Sequence, residues 1–324
     1  MKAIVIDQYG PVEGLVYKEV PKPEPLIGQV VIKIKAFGIN HAEIHMRRGE
    51  WPESDPIAGI ECVGIVDSCP GGEFEVGDTV IAMMGGLGRT SPGSYAEYTR
   101  ALATHVIKVD TDLPWDQLAA IPESFATAWT FLFRNLEISK GQLLVVRGGT
   151  SALGRAAITM AVNAGVRVIA TTRSESRKQT LLDLGVERVE IERPDLSKHI
   201  PEAKQIDAVL DLVGNSTLID SLAMARRGGR VCLGGWLGGL APIPDFNPLL
   251  QISSGVHFSL FASPHFGEPQ FPLNDVAMQE IVDMVAAGKY QAKPSRVFKF
   301  EEIHEAHRVM ESNQANGKMV VVID

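Results

Sequence analysis

The sequence predicts an α/β protein in which a β-rich segment accompanies a doubly wound parallel sheet. Residues 1 to about 110 are short apolar runs separated by Gly and Pro, which is typical of a segment built mainly from strands. From Pro114 onward helical and strand patterns alternate, as in a parallel sheet with helices on both faces. A Gly-rich turn between two of the alternating strands is the third observation, because such turns join strand to helix in doubly wound sheets.

The predicted elements follow the chain in order. In the β-rich segment, apolar runs bounded by turn residues predict strands over residues 30–36, 59–66, 79–83 and 94–98. The alternating segment contains six apolar runs of strand length, the full number for a doubly wound sheet, over residues 143–147, 166–171, 187–191, 207–212, 229–234 and 255–260. Beyond Pro272 the patterns predict a helix, a strand, a helix and a strand over residues 274–288, 295–300, 303–312 and 318–323. We expect these last elements to fold back onto the β-rich segment.

Length and composition exclude several classes of protein. The chain has 324 residues, enough for two domains, and its 45% hydrophobic and 22% charged residues are ordinary for a globular enzyme. A net charge of −8 argues against a nucleic-acid-binding protein with a broad basic face. No apolar run approaches the roughly 18 residues that span a bilayer, and the strand-like start leaves no room for a signal peptide. With only three cysteines, too few for a disulfide framework, we expect a cytoplasmic protein.

The Gly-rich turn predicts a dinucleotide-binding site. The apolar strand Leu143-Leu-Val-Val146 runs into Arg-Gly-Gly-Thr-Ser-Ala-Leu-Gly154, and an Ala-rich helix over residues 152–164 follows. Small residues let the backbone approach a pyrophosphate, and a helix N-terminus offers N–H groups and the positive end of a dipole. The strict G-x-G-x-x-G pattern is absent, because Ser151 stands near the usual central glycine. The predicted cofactor contacts in this turn are Gly149, Thr150, Ser151, Ala152 and Leu153.

The end of the next strand indicates which nicotinamide cofactor is bound. An NAD site usually places Asp or Glu there, where the carboxylate binds the ribose 2′-OH. This chain instead reads Thr172-Arg173-Ser174, with Arg177 and Lys178 one turn further on. Hydroxyl and guanidinium groups attract a 2′-phosphate through charge-assisted hydrogen bonds. We therefore expect NADPH, bound by Thr172, Arg173, Ser174 and Arg177; the alternative is that these basic residues are only a solvated helix start.

Five short motifs occur in a characteristic order along the chain. They are Gly38-Ile-Asn-His-Ala-Glu43, Pro56-Ile-Ala-Gly-Ile-Glu-Cys-Val-Gly-Ile-Val66, Phe74-Glu-Val-Gly-Asp-Thr-Val80, Gly93-Ser-Tyr-Ala-Glu-Tyr98 and Ala126-Thr-Ala-Trp129. In these motifs the chain resembles the zinc-free branch of the medium-chain dehydrogenase/reductase superfamily, most of all the NADPH:quinone oxidoreductase or zeta-crystallin-like group. The resemblance implies a GroES-like β-rich catalytic domain over residues 1–117 and 268–324 and a Rossmann NADPH-binding domain over residues 118–267. It also implies an active site in the cleft between these domains.

Two residues argue against the catalytic zinc of the superfamily's zinc-dependent members. The resemblance aligns Asn40 with their thiolate ligand and Ile60 with their imidazole ligand, and neither side chain is a plausible zinc ligand here. The four closely spaced cysteines of their structural zinc lobe are also missing. His41 and His45 lie four residues apart and leave a metal site on a helix face open, but no cysteine or further ligand run accompanies them. We expect no metal ion, with one of these histidines facing the cleft and the other at the surface.

The resemblance implies hydride transfer from NADPH to an acceptor that is already electrophilic. Quinones and α,β-unsaturated carbonyls need little Lewis-acid help, whereas a plain ketone needs zinc or an acidic group. Asn40 resembles the family's asparagine beside the nicotinamide. His45 stands near the position where relatives often carry Tyr, and histidine can donate a proton near neutral pH. Asn40 and His45 are thus the expected catalytic residues; the alternative for His45 is a pocket wall with no proton role.

Further cofactor contacts are carried over from the family. Thr127 resembles a residue at the pyrophosphate or the nicotinamide ribose, and its alternative is a threonine bonded within its own helix. Lys318 resembles a cofactor contact, and its alternative is a solvated lysine. Ligands of doubly wound sheets bind at the carboxyl ends of strands, where the expected contacts are Gly214, Asn215, Leu233 and Gly234.

Three functions remain open at this point. Reduction of a quinone or an activated enone with NADPH leads. Reduction of enoyl thioesters is the second, although it needs a basic entry patch for phosphopantetheine or CoA, and no clear patch is present. The third is an NADPH-binding protein with a sensing, structural or RNA-related role, and the acidic charge argues against RNA. The resemblance also implies a homodimer joined through sheet edges, with residues 255–260 as the apolar edge.

Overall fold

The computed structural model describes residues 1–51 and 53–323 and divides the chain into two compact units. The first unit contains Met1–Glu123, Ser263–Gly288 and Ala292–Asp324. The second contains Ser124–Ala262 and Lys289–Gln291. Both the N-terminal and the C-terminal parts of the sequence therefore build the first unit.

The helices and strands are numbered along the chain. The strands are β1 (Lys2–Ile6), β2 (Leu15–Glu19), β3 (Gln29–Ile39), β4 (Glu61–Ser68), β5 (Thr79–Met83), β6 (Tyr98–Leu102), β7 (Val106–Lys108), β8 (Leu143–Arg147), β9 (Arg167–Thr172), β10 (Arg188–Ile191), β11 (Ile206–Asp211), β12 (Ala225–Leu233), β13 (His257–Leu260), β14 (Arg296–Lys299) and β15 (Met319–Val322). The helices are α1 (His41–Arg48), α2 (Trp115–Leu118), α3 (Pro122–Trp129), α4 (Ala152–Asn163), α5 (Lys178–Leu182), α6 (Leu218–Met224), α7 (Pro248–Gln251), α8 (Met278–Ala286) and α9 (Ile303–Glu311).

The first unit is β-rich. β1 and β2 form an antiparallel pair, and a seven-stranded sheet has the order β14-β15-β3-β4-β5-β7, with β6 paired to β3. The apolar side chains of β3, such as Val30, Ile32 and Ile34, are buried. Because β3 runs antiparallel to both β4 and β15, its carboxyl end lies beside the starts of those two strands. The residues at these three strand ends are therefore brought together.

The second unit is a parallel sheet in the order β10-β9-β8-β11-β12-β13. This order steps outward in both directions from β8, which is the doubly wound arrangement. Val145, Ile169, Val209 and Val231, from four neighbouring strands, pack with Leu222 of α6 in one apolar core. The predicted fold class, a β-rich part with a doubly wound parallel sheet, is confirmed.

Two predicted elements differ from the structure because contacts distant in sequence decide them. The strand predicted over residues 94–98 is wrong, because β6 begins only at Tyr98. The residues before it bond elsewhere, with Tyr95 N donating to Ala58 O at 3.0 Å and Glu97 N to Lys2 O at 3.0 Å. The helix predicted over residues 274–288 is too long, since Val276 is extended (φ −75°, ψ 126°) and α8 starts after it.

Helices with the length and apolar character needed to cross a bilayer do not occur within residues 1–51 and 53–323.

Candidate active site

The Gly-rich turn connects β8 to α4 in the second unit. Gly148 has a φ of +79°, and a Cβ there would lie 2.9 Å from the Leu237 side chain. A Cβ on Gly154 would lie 2.5 Å from the Gly148 carbonyl oxygen, so both positions require glycine. Ser151 caps α4, because its Oγ accepts a hydrogen bond from Gly154 N at 3.0 Å and donates one to Gly148 O at 3.0 Å. This serine shapes the turn, around which lie the predicted contacts Gly149, Thr150, Ala152 and Leu153.

The end of β9 lies beside this turn, because β9 pairs with β8 in the sheet. Gly149 N donates a hydrogen bond to Thr171 O at 3.0 Å. Thr172 is buried, and its Oγ1 accepts a hydrogen bond from Ser174 N at 3.3 Å. The residues predicted to bind a 2′-phosphate therefore lie at the same sheet edge as the predicted pyrophosphate turn; they are Arg173, which is exposed, Ser174 and Arg177.

The ends of β11 and β12 complete this edge of the sheet. The buried Asp211 carboxylate accepts hydrogen bonds from Gly214 N at 2.9 Å and Thr217 Oγ1 at 2.9 Å. Burial raises the pKa of Asp211, although these hydrogen bonds oppose the shift. A Cβ on Gly234 would lie 2.5 Å from the ring of Phe131, so the chain passes close to that ring. The predicted contacts at this edge are Gly214, Asn215, Leu233 and Gly234.

A fully buried arginine supports this edge, and the sequence patterns above did not single it out. Arg147, the last residue of β8, pairs with Glu192 at 2.5 Å and with Asp220 at 2.8 Å. Glu192 also accepts a hydrogen bond from Thr171 Oγ1 at 2.5 Å, and that hydroxyl accepts one from Gly148 N at 2.9 Å. The Gly-rich turn is thus tied to Arg147 through two side chains. The available signal was the charge that ends the apolar run Leu-Leu-Val-Val-Arg, since a buried arginine requires partners.

In the first unit, the neighbouring strand ends bring Asn40, Glu61 and Lys318 together. Asn40 Oδ1 accepts a hydrogen bond from Lys318 Nζ at 2.5 Å, and Asn40 Nδ2 donates one to Glu61 Oε1 at 2.9 Å. Lys318 also forms an ion pair with Glu61. Because Lys318 is only 7% exposed, the alternative of a solvated lysine is wrong. Gly38 makes room for this cluster, since a Cβ there would lie 2.6 Å from Lys318 Cε.

Glu43 adds a second carboxylate to the cluster. Asn40 is the N-cap of α1, and its backbone N–H donates to Glu43 Oε2 at 2.7 Å, so the two residues form a capping box. Burial raises the pKa of Glu43 to about 7. The nearby Lys318 charge lowers this pKa, and the Glu61 charge raises it further. The pattern Asn-x-x-Glu resembles the capping-box signature and was a sequence signal for this contact.

His45 lies on α1, one turn beyond the cap. Its Nδ1 lies 2.5 Å from Glu50 Oε2, and its ring stacks on Trp51 with the ring planes 6° apart. His45 is half-buried, whereas His41 is exposed. Over residues 1–51 and 53–323, His, Cys, Asp and Glu side chains do not gather in threes that could hold a metal ion.

The predicted site residues thus fall into two groups, one in each unit. Asn40, His45 and Lys318 belong to the first unit, and Asn40 contacts Lys318 directly. The other predicted cofactor contacts belong to the second unit, where Thr127 lies on α3 with its side chain buried.

A separate buried polar chain links α1 to α9 in the first unit. Arg47 Nε donates a hydrogen bond to His307 Nδ1 at 3.2 Å, and His307 Nε2 lies 2.9 Å from the Tyr95 hydroxyl. A guanidinium can only donate, so Nδ1 accepts and the neutral Nε2–H tautomer donates to Tyr95. Burial, together with the Arg47 charge, lowers the pKa of His307 to about 3.

We expect His307→Gln to flatten the fall in stability on acidification. Unfolded histidine takes up a proton below about pH 6.5 while native His307 stays neutral, so the native state loses stability as pH falls from there towards 3. Between pH 6.5 and 5.0 this proton uptake should lower the free energy of unfolding of the wild type by about 1.6 kcal/mol more than that of His307→Gln. Glutamine can make both hydrogen bonds but cannot titrate. Urea unfolding across this range checks the result against His199→Gln, an exposed histidine; equal pH dependence in wild type and His307→Gln contradicts it.

Two parts of the chain match known protein families. Residues 27–111 match the alcohol dehydrogenase GroES-like domain, and residues 183–321 match the family described as zinc-binding dehydrogenase. The chain belongs to the medium-chain dehydrogenase/reductase superfamily, and the zinc-free, zeta-crystallin-like group fits its sequence.

Individual relatives agree with this placement. Human quinone oxidoreductase is 27% identical over 341 residues, an alignment that covers 100% of this chain and 98% of that protein. A phenolphthiocerol/phthiocerol polyketide synthase from Mycobacterium tuberculosis is 28% identical over 98% of this chain, but the chain spans only 14% of that protein. A mycobacterial protein solved in complex with NADPH superimposes with a TM-score of 0.85 at 25% identity and covers 99% of both chains.

Proposed function

We propose that this protein is an NADPH-dependent reductase that transfers hydride to a quinone or an α,β-unsaturated carbonyl without a metal ion. The cluster at Asn40 carries this proposal. A catalytic zinc would need thiolate and imidazole ligands, and the chain offers an amide and an isoleucine at those positions. The Lys318 ammonium lies 2.5 Å from Asn40 Oδ1, and its charge opposes a divalent cation there. The name of the human relative, quinone oxidoreductase, supports the same acceptor class.

The strand ends of the second unit fit a nicotinamide dinucleotide. A Cβ at Gly148 or Gly154 would fill the turn, so glycine keeps the backbone open there. The turn and the N-terminus of α4 would hold the pyrophosphate. Gly214 and Gly234 keep the other strand ends free of side chains beside the expected riboses. When bound, the reduced nicotinamide supplies a hydride, and the NADPH in the mycobacterial structure supports the phosphorylated form.

Reduction of a quinone to a hydroquinone needs one proton as well as the hydride. The hydride brings two electrons and one hydrogen nucleus, and the acceptor oxygen takes a proton. His45 is suited to deliver it as the imidazolium, because Glu50 accepts from Nδ1–H at 2.5 Å and Nε2–H is then the donor to an acceptor. We propose that the Glu50 carboxylate orients the ring for this transfer.

We expect Arg173→Ala to remove most of a preference for NADPH over NADH that is at least about tenfold. Glu175, the acid of the same turn, is paired with Lys178 at 2.9 Å. Loss of one charge-assisted hydrogen bond to the 2′-phosphate costs roughly 1.5–3 kcal/mol, about ten- to a hundredfold in affinity. Fluorescence titration with both cofactors measures this. Arg167→Ala is the control, since Arg167 at the start of β9 pairs with Glu187; equal wild-type affinities for the two cofactors contradict the assignment.

The proposed function is tested by NADPH oxidation with a panel of quinones, enones, enoyl thioesters and simple ketones. We expect turnover with the quinones or enones and none with simple ketones, and activity that survives a strong chelator. Turnover confined to enoyl thioesters would favour the second candidate, which the similarity to a polyketide synthase supports. NADPH binding without turnover of any acceptor would favour a sensing or structural role.

We propose a homodimer joined through β13. This strand is at the edge of its sheet, and Phe258 and Leu260 are 40% and 61% exposed. A bare apolar edge invites pairing with another strand. Light scattering at micromolar concentration is expected to give twice the chain mass of 35.1 kDa, and Leu260→Lys is expected to give the monomer. Val297→Lys on the edge strand β14 is the control; a wild-type monomer contradicts the proposal.

We also propose a cytoplasmic location. The cysteines are free, and Cys62 and Cys232 are buried, as suits a reducing compartment. Recovery of the protein outside the cytosol on cell fractionation contradicts this.

A further inference from the structure

We propose that Lys318 and Glu61 are positioning residues that fix the orientation of the Asn40 carboxamide, and that Lys318 acts through Asn40 rather than by touching the cofactor. This inference rests on the proposed function and on the family resemblance, which implies that Asn40 lies beside the nicotinamide. It assigns to Lys318 a role different from the cofactor contact that the family resemblance implies.

The topology of the first unit brings these residues together. Asn40 directly follows β3, Glu61 begins β4, and Lys318 directly precedes β15. Since β3 is antiparallel to both neighbours, these three positions meet at one end of the sheet. The absence of a side chain at Gly38 leaves the space that the lysine and the glutamate occupy.

The ion pair makes the two ends of the Asn40 amide inequivalent. Asn40 Oδ1 accepts from the Lys318 ammonium at 2.5 Å, and Asn40 Nδ2 donates to the Glu61 carboxylate at 2.9 Å. A flipped amide would place its NH₂ group against the ammonium and its oxygen against the carboxylate. Both contacts would be repulsive in a buried site. One orientation of Asn40 is therefore strongly favoured.

The other partners of the pair hold it in place. Glu61 Oε2 accepts a hydrogen bond from Glu123 N at 2.7 Å, so its second oxygen is anchored to the backbone. The Glu43 carboxylate accepts hydrogen bonds from Asn40 N at 2.7 Å and from Ile60 N at 3.1 Å. These bonds fix the backbone at the N-cap of α1. Lys318 is buried and directs its ammonium to Glu61 and Asn40. A small displacement of a group beside the reacting atoms can slow a reaction by a large factor.

The test compares Lys318→Met with Asn40→Ala and with the double variant. We expect Lys318→Met to slow single-turnover hydride transfer to a quinone by roughly ten- to a hundredfold, with the NADPH dissociation constant changed by less than about threefold. The double variant should be no slower than the slower single variant, because both changes disable the same group. Lys33→Met, at an exposed lysine of β3, is the matched control and should behave as wild type.

Lys318→Met leaves the Glu61 charge buried without its partner. If this variant does not fold, Lys318→Met/Glu61→Gln replaces it, because the second change keeps the net charge of the site as in wild type. The same pattern of rates and affinities is expected in it. Weaker NADPH binding as the main effect, with multiplicative losses in the double variant, overturns the inference and makes Lys318 a cofactor contact. Unchanged hydride transfer in Lys318→Met also overturns it.

A readout without turnover separates this inference from the proposed function. In protein labelled with ¹⁵N-asparagine, the Asn40 side-chain amide signals, assigned with Asn40→Asp, should move in Lys318→Met and stay in Lys33→Met. Signals that do not move overturn the positioning role. Wild-type protein that oxidises NADPH with none of the acceptors overturns the proposed function, even where the amide signals respond to Lys318→Met.

Discussion

Replacing Arg147 by methionine is expected to lower the free energy of unfolding by roughly 3–5 kcal/mol. The guanidinium is fully buried and neutralises Glu192 and Asp220, whose side chains are each 9% exposed. It also donates to Ser221 Oγ at 3.2 Å and to the Arg193 carbonyl at 2.6 Å. Methionine fills a similar volume but leaves two buried carboxylates without a cation, and uncompensated buried charges strongly destabilise the folded state. Urea unfolding without cofactor measures the loss.

The exposed pair at the other end of the same sheet provides the control. Arg167→Met breaks a bidentate pair with Glu187 and should cost less than about 1 kcal/mol, because water screens that pair. Arg147→Lys should recover only part of the loss, since an ammonium cannot reproduce the planar fork of donors. A loss below about 1 kcal/mol in Arg147→Met contradicts the prediction. The remaining folded Arg147→Met should also bind NADPH more weakly, as Glu192 links Arg147 to the Gly-rich turn.

Replacing His45 by alanine is expected to lower kcat for a quinone by roughly 10²-fold or more. The imidazole is held by Glu50 at Nδ1 and by stacking on Trp51, so the ring has a defined orientation for proton transfer. NADPH affinity should stay almost unchanged, because most of the predicted nucleotide contacts lie on strand ends of the second unit. Single-turnover hydride transfer between pH 5.5 and 8.5 measures the effect.

The Glu50→Gln variant distinguishes a His45 that donates a proton from a His45 that only lines the pocket. It preserves the shape of the side chain but removes the charge that faces Nδ1, so a proton-donating His45 should show a shifted pH profile. A histidine that is only a wall gives a different result: His45→Ala alters KM and acceptor choice while kcat on a small quinone stays near wild type. Rates without pH dependence in wild type and His45→Ala rule out the acid role.

Local patterns of the sequence were enough to predict the architecture. Alternating strand and helix patterns predicted the parallel sheet, since the burial of each element depends on its own apolar face. The Gly-rich turn was predictable for the same reason, because a Cβ on Gly154 would meet atoms of its own turn. The strand prediction failed where the hydrogen-bond partners are distant in sequence. Residues 94–97 form no part of β6, because their backbone N–H groups bond to Ala58 and Lys2.

The tertiary structure alone decided which charged side chains meet inside the protein. Lys318 and Glu61 are 257 residues apart, and Arg47 and His307 are 260 apart, so no local pattern connects them. Strand order and register determine which of the many acids and bases become neighbours, and burial then makes each pairing obligatory because an unpaired charge is costly in a site without water. The sequence by itself therefore determined the fold class and the Gly-rich turn. The orientation of Asn40, the buried partners of Arg147 and the shifted pKa values of Glu43 and His307 follow only from the folded chain.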